Sequence, residues 1–478
     1  MNIKLVLKLV GRVLVMETAA LTVPLAVALL YRESPAPFLL SIAIVAAVGL
    51  VLSTLPAKTQ FFTREGFVAV GLIWIFTGVV GALPFLFSGY FATPMDAIFE
   101  SCSGFTTTGS TILTDIEALP KGILFWRAFT HWMGGMGVLV LATAIVPKLG
   151  FRSHYLTQAE TPGPVFSKLV PKQSQTSKIL YTMYFALTAL EVLCLKLAGM
   201  PLYDALIHSF STAGTGGFSN RNASVGAYDS VAVDVIITIF MLLFSINFAV
   251  YFLILTKKWR EAFQSDELRF FLAIVAGATA VLTLANLSVY SSVGDSLRYT
   301  AFQVASIIST TGFGTADFVL WPQFSQLIIV LIMFCGACAG STGGGMKCSR
   351  VLLLLRAIRR EVHRITHPRC VEVVKLDGKL VNEATLHSLL VFLGAYVSTV
   401  FFAALVISLD GFSFSVSFSA ALTCVSNVGP GLEAIGPSGN FAAFSGLSKG
   451  VMSLCMIVGR LEIFPILVLF SPSTWRKS

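Results

Sequence analysis

The sequence predicts an all-α integral membrane protein: four fused helix–pore loop–helix repeats in pseudo-four-fold arrangement, preceded by two extra N-terminal transmembrane helices. Three observations predict it. First, the 478 residues are 55% hydrophobic and 12% charged, far from the roughly 25% charged residues of a soluble domain, and mean hydropathy is +0.82. Second, four windows carry a glycine at the same offset: Thr107-Thr108-Gly109-Ser110, Thr215-Gly216-Gly217-Phe218, Thr310-Thr311-Gly312-Phe313 and Asn427-Val428-Gly429-Pro430. Third, the basic residues gather in alternate loops.

A spanning helix needs about 20 apolar residues. Ten stretches supply them, near 5–30, 36–55, 66–90, 123–147, 178–199, 229–256, 268–291, 322–340, 383–409 and 444–470. The first reads as a span and not a cleaved leader, because it contains Lys8, Arg12 and Glu17 and no small-residue cleavage site follows cleanly. With the second it forms an extra pair, 1–60; the repeats occupy 61–150, 176–260, 264–365 and 380–478. Gapless alignment from Asp96 and Asp204 places Ser101 on Ser209, Ser103 on Ser211 and Gly109 on Gly217. Ser306 with Gly312, and Thr423 with Gly429, take the same places in the third and fourth repeats.

Each window follows a short helix, near 95–105, 203–213, 299–309 and 415–425, about 16 Å long at 1.5 Å per residue and so able to reach only halfway across. Non-helical backbone survives at membrane depth only where protein buries it or water lines it. Glycine permits backbone angles closed to other residues, so carbonyls can face a common axis, which is how a dehydrated cation is held in a membrane. Four helix C-termini, each carrying about half a negative charge, favour a cation there, and Thr108 and Thr311 can add hydroxyl oxygens. Four windows in register disfavour the alternative of ordinary extramembrane turns.

The net charge of +9 does not indicate a nucleic-acid partner, because its placement orients the chain. Lys58 and Arg64 follow the second span; Lys148, Arg152, Lys168, Lys172 and Lys178 the fourth; Lys257, Lys258 and Arg260 the sixth. Arg350, Arg356, Arg359, Arg360, Arg364 and Arg369 follow the eighth, and Arg476 and Lys477 close the chain. The alternation is the positive-inside pattern and puts both termini in the cytoplasm. The eight cysteines form no framework, and Cys335 with Cys338 is an isolated CxxC inside a span. His131 and His208 are placed near the outer helix ends without a second ligand; His363 and His367, four apart in a basic helix, lack the HExxH context and read as a solvated face. With no nucleophile–base constellation or P-loop, an enzyme reading has no residues to stand on.

Two further regions carry a mechanism. Cys335–Lys347, CGACAGSTGGGMK, interrupts the inner helix of the third repeat, and each interior glycine costs about 1 kcal/mol against alanine. Broken helices of this kind mark ion pathways or gates; the alternative is a flexible connector. Lys347 either shields the pore entrance or snorkels to the interface. Arg460 and Glu462 lie inside the apolar final helix, where a charge costs at least about 2.5–3.5 kcal/mol and so faces a cavity. At i,i+2 they point to different faces and do not pair with one another. Arg460 either raises an electrostatic barrier against the glycine loop or caps carbonyls as a structural arginine. Glu433, Asp115, Glu117 and Asp317 either concentrate cations at the outer mouth or are ordinary loop residues.

At SGFTTTGST (103–111), GGFSN (216–220), STTGFGTADF (309–318) and SNVGPGL (426–432) the chain resembles the TrkH branch of the Trk/Ktr/HKT superfamily of potassium transporters. WMGGMGVLVLA (132–142), CAGSTGGGMK (338–347) and GRLEIFPILVLF (459–470) extend the likeness over essentially the whole chain, extra helix pair included. The resemblance implies that glycine at all four filter positions goes with potassium, bound at the four windows. It implies that the loop Gly340, Ser341, Thr342, Gly343, Gly344, Gly345 and Lys347 lies beneath the filter as a gate, with Arg460 in a gating role. It also implies a bacterial or archaeal inner-membrane homodimer with a cytosolic TrkA-type nucleotide-binding regulatory subunit. No covalently bound cofactor is expected; ATP or NAD would bind that partner. The second repeat, with Gly216 before the filter glycine, and the fourth, with Asn427 and Val428, depart from the threonine-rich pattern. The expectation is potassium uptake driven by membrane potential; the alternative is a sodium- or proton-coupled potassium symporter, which a carboxylate buried beside the filter would favour.

Overall fold

The computed structural model describes residues 2–57, 63–137, 173–370 and 372–475. Within them, six helices are long and apolar enough to cross a bilayer: Ile3–Leu30, Ala36–Ser53, Arg64–Ser88, Lys178–Leu197, Asp266–Ala285 and Glu383–Asp410. The first two are the extra pair, joined by a short turn and packed closely through glycines. A Cβ added at Gly11 would lie 2.5 Å from the Ser53 backbone nitrogen and 2.8 Å from the Gly49 carbonyl oxygen, the small-residue contact that lets apolar helices approach in lipid. The other four are the outer helices of the repeats.

Each outer helix leads into a short buried pore helix: Pro94–Phe105, Leu202–Gly214, Val293–Ile308 and Phe414–Ser426. Their starts are dictated locally. Thr93 and Asp96 form a reciprocal capping box, and Ser292 and Ser413 cap the third and fourth helices through the amides of Asp295 and Val416. The third begins several residues earlier than its apolar pattern predicts, because Ser292 and Asp295 supply the cap upstream of the apolar face.

The third inner helix breaks where its glycine run predicts, while the second and fourth differ from the uninterrupted spans the hydropathy predicts. Lys121–Gly135, Val231–Ser245, Gln323–Cys335 and Gly446–Arg460 have 15, 15, 13 and 15 residues, short of the roughly 20 a crossing needs. The second turns by 92° into Phe248–Leu255. The third stops at Cys335 and resumes at Cys348–Thr366 after a non-helical loop. The fourth breaks at Ile463, whose φ is +71°, before Phe464–Phe470. The rest of the span expected at 123–147 lies outside the described residues, as do Lys58, Lys148, Arg152, Lys168, Lys172, Arg476 and Lys477. A small antiparallel hairpin, Lys375–Leu376 with Lys379–Leu380, follows the arginine-rich helix.

Candidate functional site

Each pore helix ends in the same backbone motif. Thr107, Thr215, Thr310 and Asn427, two residues before each window glycine, all adopt left-handed φ of +54°, +56°, +60° and +55°. The next amide then reaches back five residues in a Schellman cap: Thr108 to the Ser103 carbonyl, Gly216 to Ser211, Thr311 to Ser306 and Val428 to Thr423, at 2.9, 2.8, 2.9 and 3.0 Å. A left-handed non-glycine residue costs about 1–2 kcal/mol; four at equivalent positions make it a property of the repeat. With the amide turned back to the helix, the following carbonyl is left to point away from it.

Those carbonyls close a ring. A Cβ added at Gly109 would lie 1.9 Å from the Gly216 carbonyl oxygen; at Gly217, 2.1 Å from that of Thr311; at Gly312, 2.3 Å from that of Val428; at Gly429, 2.7 Å from that of Thr108. The order runs one, two, three, four and back to one, so the four windows surround one axis in chain order. Each glycine is required twice, by its φ of +82°, +76°, +84° or +105° and by the neighbouring carbonyl. All four glycines line a single cavity of about 140 Å³.

The walls are polar and buried. Thr106 and Thr108 share a hydroxyl–hydroxyl bond of 2.8 Å, and Ser309 and Thr311 one of 2.7 Å, so repeats one and three match in side chain as well as backbone. Asn427 takes the place of a hydroxyl in repeat four by donating to Thr108 Oγ1 and the Met456 carbonyl, both at 2.9 Å. Behind the first window, Arg127 and Glu100 form an ion pair of 2.7 Å at 1% and 0% side-chain exposure, and Arg127 also donates to the Ser219 carbonyl. Lys449 joins repeat four to repeat one through Asp96 at 2.6 Å, and Arg298 joins repeat three to repeat two through Asp234 at 2.7 Å. None of these pairs is signalled by local sequence, since each joins residues far apart in the chain.

On the side of the ring away from that cavity lies the loop between Cys335 and Cys348. Gly336, Gly340, Gly345 and Lys347 take φ near +70° to +75°. Its tip touches the base of the windows: the Gly344 amide donates to Thr310 Oγ1 at 2.7 Å, and a Cβ at Gly344 would lie 2.5 Å from the Ser426 carbonyl oxygen. Arg460 donates to Thr107 Oγ1 (3.1 Å) and to the carbonyls of Thr342 (2.8 Å), Gly134 (2.6 Å) and Gly135 (2.9 Å). It caps carbonyls, the structural alternative left open by the sequence, and in doing so ties the loop to the ring. Lys347 folds its ammonium onto the Gly343 carbonyl at 2.5 Å and is buried, which excludes snorkelling. Ser341 donates to the Cys338 carbonyl. Glu462 pairs with Arg350, whose guanidinium lies 4.0 Å from the Phe392 ring centroid.

The loop also completes the break in the second inner helix. Asn247 caps the new helix through the Ala249 amide, while the carbonyls freed at Phe244 and Ser245 accept from the Thr342 and Cys338 amides. A lone Asn within the apolar 229–256 stretch was the available signal for this bend. The four acidic residues weighed for the outer mouth all have protein partners, two of them across to the second repeat. Asp115 accepts from Asn222, Glu117 pairs with Arg221 at 3.4 Å, Asp317 caps the Val319 amide and Glu433 accepts from Ser413. His131 and His208 are not at outer helix ends but fully buried behind the ring, His131 on the Gly104 carbonyl at 2.7 Å and His208 on Ser219 Oγ at 3.0 Å. Among the described residues, no group of three His, Cys, Asp or Glu side chains is arranged to hold a metal.

Comparison with known proteins agrees with this architecture. The family TrkH, described as cation transport protein, matches residues 36–477. The chain belongs to the TrkH cation transport family. It is 38% identical to the Trk system potassium uptake protein TrkH of Salmonella typhimurium and 37% to that of Escherichia coli K12, over 100% of both chains in each case. It is similar to the crystal structure of the potassium transporter TrkH from Vibrio parahaemolyticus, with TM-score 0.89, 34% identity and full coverage of both chains.

Proposed function

We propose that this chain takes up potassium ions across the cell membrane along the axis of the four-glycine ring. The observation that carries this reading is the closed carbonyl-to-glycine sequence Gly109, Gly217, Gly312, Gly429 and back, and the relatives of known name are potassium uptake proteins. Backbone carbonyls of the windows, led by Thr108, Gly216, Thr311 and Val428, replace the hydration shell of the ion, and the pore-helix C-termini add their partial negative charge. The driving force is the membrane potential, about 2.3 kcal/mol per charge per 100 mV. The loop 340–347 and Arg460 close the path beneath the ring; opening withdraws both. The basic face is cytoplasmic, the protein works as a homodimer, and a TrkA-type cytosolic subunit that binds ATP or NAD docks on 347–379 and on 148–178, most of which lies outside the described residues.

Rubidium-86 flux into proteoliposomes, with sodium as competitor, tests the reading on the wild type and Gly109→Ser. Potassium-selective flux that loses its discrimination in the variant supports it. Folded protein with no potential-driven potassium flux, even with its cytosolic subunit, overturns it; flux that requires a sodium or proton gradient supports the symporter instead.

A further inference from the structure

We infer that Glu267 is the positioning residue that clamps both ends of the intramembrane loop, and so sets how readily the path opens. This rests on the reading of that loop as a gate. Glu267 stands at the start of the third outer helix, Asp266–Ala285, 7% exposed. One oxygen, Oε1, accepts from the Ala339 amide at 2.7 Å and from the Ser349 amide at 3.0 Å. These amides flank the stretch 340–348, so one carboxylate oxygen joins the point where the chain leaves the helix path to the point where it rejoins it. One carboxyl oxygen has the lone pairs to accept from both amides at once, and a buried amide left without an acceptor is costly.

Three further side-chain contacts act on the middle of the loop: Arg460 on the Thr342 carbonyl, Lys347 on that of Gly343, Thr310 on the Gly344 amide. They can be released one at a time while the ends stay fixed. Glu267 spans the base from a neighbouring helix, beside the Cys348 amide on the Ala337 carbonyl at 2.9 Å and the Cys335–Cys348 sulfur contact. It also lines a cavity of about 830 Å³ shared with Asn247, Ala339, Ser349 and the 376–379 hairpin. The bend of the second inner helix, the base of the loop and the adjoining hairpin therefore border one cavity with that carboxylate, and the hairpin is tied to the neighbouring Asp266 through Asp377, which gives a movement at the basic face a route to the loop. Arg356, on the helix that follows the loop, pairs with the neighbouring Asp266 at 2.8 Å, so the same helix start holds that helix as well.

The test measures potassium flux in proteoliposomes containing the full chain without a cytosolic subunit, for wild type, Glu267→Gln, Glu267→Ala and Arg460→Ala. Gln keeps the shape and removes the charge; Ala removes both. The expected result is a graded rise in flux, about threefold for Gln and about tenfold for Ala, with unchanged potassium-over-sodium preference. Hydrogen–deuterium exchange supplies a second readout: the peptides containing Ala339 and Ser349 should exchange faster together in Glu267→Gln, with no change in the pore helices. A residue that merely stabilises the fold would lower flux or loosen the protein throughout, and either result overturns the proposal. Unchanged flux and exchange in Glu267→Gln, with raised flux in Arg460→Ala, overturns the clamp and leaves the gate reading standing. No rise in any variant overturns both.

Discussion

The ring of windows and the loop beneath it are built from the same kind of residue, glycine at positive φ, but to opposite ends. In the ring, four repeats superpose in backbone: four left-handed residues, four Schellman caps, four glycines each facing the next carbonyl. Among the described residues the inner halves of repeats two, three and four differ: the second helix bends by 92°, the third opens into a loop, and the fourth turns at Ile463. Repetition suits a site that must present equivalent oxygens from all sides. Asymmetry suits a device with two arrangements, because one loop can move while three repeats hold the axis. Changes in the ring should therefore alter what passes, and changes in the loop how much.

The largest expected effect lies behind the ring. Glu100→Gln leaves Arg127 buried without its counter-charge, and breaking a buried pair costs about 3–5 kcal/mol. Thermal denaturation followed by size exclusion should show a markedly less stable protein, whereas a melting point equal to wild type would remove the pair from the account of the ring. Next come the glycines. Gly109→Ala should abolish potassium preference, lowering the potassium-to-sodium flux ratio about tenfold by carbonyl collision and positive-φ strain. Gly429→Ala, with the 2.7 Å approach in place of 1.9 Å, should be milder; the reverse ranking would contradict the ring geometry.

Arg460→Ala should act oppositely, raising basal flux several-fold with selectivity intact, since it frees the Thr342 carbonyl from the ring. A change in selectivity would show that the two regions are not separable. A reversible version uses Cys335 and Cys348, whose sulfurs lie 3.5 Å apart at the base of the loop. Diamide treatment should join them and lower flux about twofold or more, dithiothreitol should restore it, and Cys335→Ser should be insensitive. The smallest effect belongs to the outer carboxylates. Glu433→Gln, whose partner is Ser413, should change flux less than about twofold, and not at all in high salt.

Much of this was legible in order along the chain. The six long helices and four pore helices come from apolar runs and from caps such as Thr93 and Ser413, which are local signals. The equivalence of Ser103, Ser211, Ser306 and Thr423, read from alignment, reappears as four identical backbone bonds. The hydropathy overran the inner helices because apolar residues continue across the breaks. Asn247 and the positive φ of Ile463 interrupt the helix without lowering hydrophobicity enough to register. The burial of Lys347, and of His131 and His208, was missed for a related reason: depth is set by what surrounds a residue, and the surroundings come from other repeats.

By itself, then, the sequence determined a helical membrane protein of four repeats, the place of each glycine, and the loop that had to leave the helix, because these depend on hydrophobicity and backbone freedom within a few residues. Only the tertiary structure decided that Gly109 faces Gly216 while Gly429 faces Thr108, that Glu100 belongs to Arg127 and Asp96 to Lys449, and that Arg460 and Glu267 hold one loop from different points. Those pairings join segments up to 353 residues apart. A carboxylate or a carbonyl carries no mark of its partner; which one it meets is fixed only when packing brings the four repeats around the axis.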